Sequence, residues 1–405
     1  YKSLLEQAGD DPRRLPKNTQ EMVFYPTNKI RVKVNKENVL KTGVVKTEDE
    51  ALIEPYIDID LPDGGMTKNQ IMMLDILANN DWERPIYFTG GSYAESEYIW
   101  MKEYLQLEGL VYKLVPIKTP LNTNNPYIMG RLDSDLMYDI VMNWSWGNSE
   151  SPDIYHDVET RKNSISFRSN MARLAEKLIE EGKKEKAKNI LDLAMEKMPL
   201  DYFGYYSLLV PFVDGYYRLG ALESAQNLAK KVGFKYSDEL NYFASLSPNE
   251  QYMMGEEIIT QVERYRTLME AILVNEDREL LKTELDHFTV AIQPFKNLYG
   301  DYDYYTSLTL FVEGYYLSGQ KEKAEELVES IVSQYEGRFG MIANFSQNNK
   351  KVFFDRIKSE VLDFQELIYR VELMGANDFA KSLQKRFDET MNQFEIEDTL
   401  ENQSK

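Results

Sequence analysis

The chain has 405 residues, a net charge of -20, no cysteine and two histidines, His156 and His287. That length accommodates two or three domains, while the acidic balance disfavours a nucleic-acid partner, whose affinity rests largely on Lys and Arg neutralising phosphates. Without cysteine there is no thiol nucleophile, thiolate zinc site or disulfide, and two imidazoles leave little for Ser-His or multi-His chemistry.

No run of eighteen apolar residues occurs, so no segment reads as a membrane span. The chain opens on Tyr1 with no leader pattern after it, which reads as a piece cut from a longer or processed protein. Tyrosine stands out at 28 residues. Its large rigid face and polar tip suit a recognition surface or a packed helical core.

In chain order, "KIRVKV" from Lys29 and "PYIDIDL" from Pro55 alternate at period two and predict half-buried strands. Thr67 to Asn80 predicts a helix with Thr67 and Gln70 as a capping box and Ile71, Leu74 and Leu77 on its apolar face. "PIYFT" from Pro85 predicts a strand ending at Gly90 and Gly91. "SEYIWMKEYLQLE" predicts a helix stopping at Gly109, and "LVYKLVPI" the strand after it. This alternation indicates a small α/β layer. From about Pro120 to Asn163 the turn-forming stretches "NTNNP", "DSD" and "GNSESPD" predict loops and a domain boundary.

After Phe167 the helical period runs to about Phe394. Ser247, Pro248 and Glu250 supply a cap, a first-turn proline and a capping-box acid before the long helix that starts at Gln251. The final "EIEDTLENQSK" reads as a polar tail. The expected organisation is α+β overall: a small α/β domain at 1–160, an all-α helical array at 161–395, and a tail at 396–405.

An internal repeat sets the character of the array. Shifting Phe212 onto Phe311 also aligns Tyr205 with Tyr304, Gly215 with Gly314, Gly220 with Gly319 and Ala225 with Ala324. The unit is clearest where Met171, Leu174, Ala175, Leu178, Gly182, Ala187, Leu191, Ala194 and Pro199 fall at the spacings of the tetratricopeptide repeat, a helix-turn-helix of about thirty-four residues. Later copies read Leu209, Phe212, Val213, Tyr216, Gly220, Ala225 and Ala229, then Leu308, Phe311, Val312, Tyr315, Gly319, Ala324 and Val328. A weaker copy reads Phe364, Leu367, Ile368, Val371, Gly375 and Ala380. Gln251 to Leu298 is expected to supply a further pair that has lost the signature. Each pair leaves an apolar face that a neighbouring pair buries.

In proteins resembling this repeat family the first helix of each pair lines a groove. Carried over, the groove positions are Asp214 and Tyr217, Glu313 and Tyr316, Tyr369 and Glu372, with Glu176 and Glu180 in the first copy. An acid beside a tyrosine suits a basic peptide or sugar hydroxyls; a solvated helix face with packed aromatics is the plainer reading. Other constellations are weaker. "YFTGGSYAESEYIW" lacks both the third glycine of a dinucleotide site and the Gly-Lys-Ser/Thr ending of a P-loop. Asp58 and Asp60 form an Asp-x-Asp pair suited to a divalent ion, although strand alternation alone also places them together. No cofactor is called for.

The blocks "DLPDGGMTKNQIMMLDILANNDWERPIYFTGGS", "EYLQLEGLVYKLVPIKT", "RLDSDLMYDIVMN" and "RLAEKLIEEGKKEKAKNILDLAMEKMP" resemble the C-terminal soluble part of a bacterial family of multi-spanning membrane proteins. That family is grouped with protein O-mannosyltransferase-like, lipid-sugar-dependent glycosyltransferases, whose catalytic acids lie in loops of a membrane domain this chain does not contain. The resemblance implies a non-catalytic periplasmic appendage, tethered through its own missing membrane domain, that positions a protein, peptide or glycan acceptor. Two alternatives stand beside it: an enzyme with a sugar or phosphate site around Gly90, Gly91, Asp58 and Asp60, and a free-standing glycan-binding helical protein.

Overall fold

The computed structural model describes residues 27–61, 66–89, 99–121, 129–344 and 347–392, with side chains at all of these except 99–100 and 347–357. Gly90, Gly91 and the tail from 393 lie outside the described residues. The chain divides into two compact units, 1–205 and 206–405. The composition change near residue 160 therefore precedes the division between units, and the first helical pair belongs to the first unit.

In the first unit, β1 (Lys29–Lys33) and β2 (Tyr56–Asp60) form an antiparallel pair, with α1 (Lys36–Lys41) between them in sequence. Strict alternation buries Ile57 and Ile59 and turns Asp58 and Asp60 outward. The helix α2 (Lys68–Asn80) starts at Thr67, whose backbone N–H donates to Gln70 Oε1 at 2.8 Å, and it buries Leu74 and Leu77.

A second sheet orders its strands β3-β5-β4-β6: β3 (Tyr87–Thr89), β4 (Leu105–Glu108), β5 (Val111–Leu114) and β6 (Arg131–Leu132). Only the β4–β6 pairing is parallel. Here the structure corrects the helix expected up to Gly109. Ile99–Tyr104 is a 3-10 turn, Leu105–Glu108 is a strand, and Gly109, at φ +66°, turns the β4–β5 hairpin. Leu105, Gln106, Leu107 and Glu108 alternate apolar and polar over only four residues, too short a run to stand out from the stretch before it, and pairing with β5 and β6 on both edges buries all four.

The loop expected from Pro120 to Asn163 is corrected as well. Asp133 accepts from Leu136 N at 3.2 Å and caps α3 (Ser134–Met142), which buries Met137 and Val141. Asp157 then caps α4 (Val158–Glu180), which begins before Phe167, after which the helical period is expected. The partner of α4 in the first hairpin is α5 (Lys184–Lys197). On α4, Asn170 and Arg173 donate to the carbonyls of Gly109, Met129 and Gly130 at 2.7–2.9 Å, fixing the helix to the second sheet. Close approach at Gly130 is compulsory: a Cβ there would lie 2.1 Å from Leu105 O. Arg168, fully buried, donates to Met198 O at 2.8 Å and to Gly204 O at 2.5 Å, closing the far end of the hairpin.

The second unit is helical throughout its described residues. Its pairs are α6 (Val210–Arg218) with α7 (Leu222–Ser245), α9 (Gly255–Val274) with α10 (Arg278–Ile292), α12 (Thr309–Leu317) with α13 (Lys321–Ala343), and α14 (Gln347–Leu373) with α15 (Asn377–Asn392). Short helices α8 (Pro248–Met253) and α11 (Asp301–Thr306) precede the second and third pairs. Ser247 and Glu250 form the expected capping box, but the helix they open ends at Met253, before the longer α9.

Every repeat position from Leu209 to Val328 other than the turn glycines is buried, and so are Phe364, Leu367, Ile368, Val371 and Ala380. Tyr216, Tyr236, Tyr265, Tyr304, Tyr315 and Tyr335 are buried in this interior. Rings of Tyr236, Tyr265, Phe288 and Phe311 follow one another at 5.0–5.4 Å, and Tyr335, Phe364 and Phe387 at 5.2 Å. Gly314 is small because α12 meets the preceding pair closely: a Cβ would lie 2.9 Å from Leu285 Cδ1.

The pair α9–α10 occupies the stretch from Gln251 to Leu298, and its turn shows how the signature was lost. Gly182, Gly220, Gly319 and Gly375 turn their hairpins at φ +73° to +82°. In this pair Glu276 takes the same place at φ +50°. The hydrogen bonds are the same: Glu276 N reaches Leu273 O and Asp277 N reaches Ile272 O, as Gly319 N reaches Tyr316 O and Gln320 N reaches Tyr315 O.

Candidate functional site

Three of the expected groove residues, Asp214, Tyr217 and Glu313, have structural partners in the neighbouring helical pair. Asp214 on α6 accepts from Asn275 Nδ2 at 3.3 Å and lies 3.7 Å from Arg218. Tyr217, one turn later, donates to Asp277 Oδ2 at 2.9 Å, and burial with that neighbouring carboxylate pushes its phenol well above its ordinary pKa. Asp277 also accepts from Gln226 Nε2 at 2.8 Å and caps α10 through Leu280 N at 3.0 Å. Asp214 and Tyr217 thus link one helical pair to the next.

Glu313 accepts from Arg370 Nη1 at 3.3 Å, joining α12 to α14. Tyr316 is half-buried, and burial, with the charge of Glu325, pushes its phenol up to about 12. Tyr369 and Glu372 are exposed on α14, and Glu176 and Glu180 are exposed on α4 in the first unit, where Glu180 pairs with Lys177.

A cleft of about 480 Å³ lies close to Glu313 in the second unit. It is lined by Arg266 and Glu270 of α9, Asp303 and Thr306 of α11, Thr309 and Leu310 of α12, and Asp363, Glu366 and Arg370 of α14, and the ring of buried Tyr335 contributes to its wall. Leu310 and Glu366 stand three residues, one helical turn, before the expected Glu313 and Tyr369. The surface facing this cleft is therefore the first-helix face, shifted by a turn.

Four carboxylates and two guanidinium groups line the cleft, and both arginines are already engaged. Arg266 pairs with Glu270 at 3.1 Å and Glu263 at 3.5 Å, and Arg370 with Glu366 at 2.6 Å and Glu313 at 3.3 Å. Asp363 sits against this acidic ground, and burial, then the charges of Glu366 and Glu360, raise its carboxyl above the usual range. A cation placed in the cleft would relieve that repulsion. The sequence signal for Asp363, Glu366 and Asp303 was weak, because 67 acids offer too many combinations.

The other sequence candidates resolve differently. Asp58 accepts bidentately from Arg31 at 2.6 and 2.8 Å, and Asp60 pairs with Lys29 at 3.1 Å, each directly across the β1–β2 ladder. Both acids are more than half exposed on an open strand face and are held by cross-strand cations. Among the described residues no group of three or more His, Asp or Glu side chains is arranged to hold a metal.

One polar cluster was hidden by the mistaken helix. Glu108, buried on β4, pairs with buried Lys113 and accepts from Gln106 Nε2 at 2.7 Å and Tyr87 OH at 3.3 Å. Donors and acceptor are matched within the sheet, as buried charge requires.

Residues 3–136, a third of the chain, match the family model described as TMEM260-associated domain 2, a domain linked to a membrane-protein family. No curated protein and no solved structure matches the chain. Among the described residues no helix is long and apolar enough to cross a membrane.

Proposed function

We propose that this chain is a non-catalytic interaction module of a membrane-embedded, glycosyltransferase-like protein, held at the periplasmic face through spans outside this chain. It positions acceptor protein by taking up a basic segment on the first-helix face of its second unit. The observation that carries the reading is the cleft between α9, α11, α12 and α14, where carboxylates exceed guanidinium groups by four to two and both arginines are already paired. The family match over residues 3–136 supports the membrane-protein association, and stacked helical pairs are a framework suited to extended peptides.

The test is a titration of the whole chain with a fluorescent Lys/Arg-rich peptide, with a Glu/Asp-rich peptide as control. Asp363→Asn together with Asp303→Asn is expected to weaken the basic peptide about tenfold, with added salt weakening the unmodified protein similarly. Equal affinity for both peptides, or no effect of the double substitution, would reject the assignment.

A further inference from the structure

A second cleft lies on the other helices of the array, between α7 and α10, with a volume of about 570 Å³. One wall is apolar: Phe234 and Val290 are 66% and 68% exposed, with buried Ala291 beside Val290 in sequence. Such exposure of two large apolar side chains beside one concavity calls for a ligand with an apolar face.

Polar groups occupy the rest. Glu284, only 7% exposed, meets His287 Nδ1 at 3.4 Å through Oε1. Its other oxygen is accommodated by Gly233 in the middle of α7, where a Cβ would lie 3.2 Å from Oε2. A mid-helix glycine costs about 1 kcal/mol relative to alanine, and here the missing methyl makes room for this carboxyl. Ser237 Oγ donates to Tyr265 OH at 3.1 Å, leaving its lone pairs to accept, and Asn241 adds an amide to the lining.

The charges around the cleft oppose one another. Glu284 and Asp286 disfavour an anion, while Lys230 disfavours a cation, and Asp286 is itself paired with Lys323 at 2.5 Å. What suits such a site is an uncharged ligand with one apolar face and several hydroxyls. The electron-rich face of an exposed phenyl ring attracts polarised C–H groups, and carboxyl, amide and hydroxyl groups beside it match vicinal hydroxyls.

We propose that the α7–α10 cleft binds a neutral pyranoside ring, stacked on Phe234 and hydrogen-bonded by Glu284, Ser237 and Asn241. This site is separate from the peptide cleft and does not depend on the function assigned there.

Saturation-transfer NMR on the whole chain tests it, using methyl glycosides of common hexoses at millimolar concentration, with hexylammonium and hexanoate as cationic and anionic comparators. The expected result is transfer to the ring C–H protons of at least one glycoside, insensitive to salt. Its affinity should fall about tenfold in Phe234→Ala, whose exposed side chain is dispensable for folding, and in the isosteric Glu284→Gln. Asp363→Asn should leave it unchanged, so failure here is distinct from failure of the peptide cleft. No transfer to any glycoside, full retention in Phe234→Ala, or stronger binding of either charged comparator would overturn the proposal.

Discussion

Glu276 occupies a turn position that four other helical pairs give to glycine, and its replacement isolates one backbone term. At φ +50° its Cβ crowds the following carbonyl, a cost of about 1–2 kcal/mol for an L-residue. Its side chain is exposed, so little packing is lost on removal. Glycine also gains freedom in the unfolded chain, which offsets about 0.4–1 kcal/mol. Glu276→Gly is therefore expected to stabilise the second unit by about 0.5–1 kcal/mol, raising its thermal midpoint by about 1–4 °C. The reciprocal Gly319→Glu introduces the same strain where no atom lies within 4 Å of the new Cβ, so it should destabilise by a similar amount. Urea denaturation followed by circular dichroism measures both, with the midpoint moving at constant slope. An unchanged or lowered midpoint for Glu276→Gly would refute the claim that this turn repeats the glycine geometry at a cost.

Two further outcomes follow from the polar contacts. Tyr217→Phe removes the hydrogen bond to Asp277 while Gln226 and Leu280 N remain, so stability should fall by about 1–2 kcal/mol with the basic-peptide affinity unchanged; a weakened affinity would return Tyr217 to the binding surface. Asp135 on α3 is held at about 2 by hydrogen bonds from Lys183 and then Lys186, so its contribution is present above the ordinary carboxylate value and lost as pH falls toward 2. The stability gap between the unmodified chain and Asp135→Asn should be about 0.5 kcal/mol at pH 7, given the half-exposed side chain, and close between about pH 4 and pH 2; a gap independent of pH would refute it.

The helical half was legible because packing and turn geometry each leave a local mark. Ala187, Ala225 and Ala324 are small where helices cross, and Gly182, Gly220, Gly319 and Gly375 supply positive φ at fixed distances from the buried Leu and Phe positions. The pair α9–α10 lost that mark at one turn residue, yet the apolar period of Ile258, Val262, Tyr265, Leu268 and Met269 kept it helical. The sheet was harder to read. In "SEYIWMKEYLQLE" the run Leu105–Glu108 is a strand only because β5 and β6 flank it on both edges, and these partnerships are not visible in a window of its own residues. The short α3 was obscured by turn-forming neighbours, although Asp133 carried its cap in plain view.

The site was less legible for a related reason. An acid and a tyrosine at matching repeat positions can face an incoming ligand or the next repeat, and the choice rests on residues about sixty positions away: Asp277 for Tyr217, Asn275 for Asp214 and Arg370 for Glu313. Once those partners absorb the expected groups, the surplus charge appears one and two turns earlier on α14, at Glu366 and Asp363, because α14 brings two more acids toward Asp303 and Glu270 without bringing an unpaired cation. The same logic separates the two clefts. On α7 and α10 opposed charges nearly cancel and exposed Phe234 and Val290 dominate, so recognition there depends on shape and hydroxyl matching. On α9, α12 and α14 the carboxylates outnumber the cations, so binding there should respond to salt and to neutralising Asp363, while binding beside Phe234 should not.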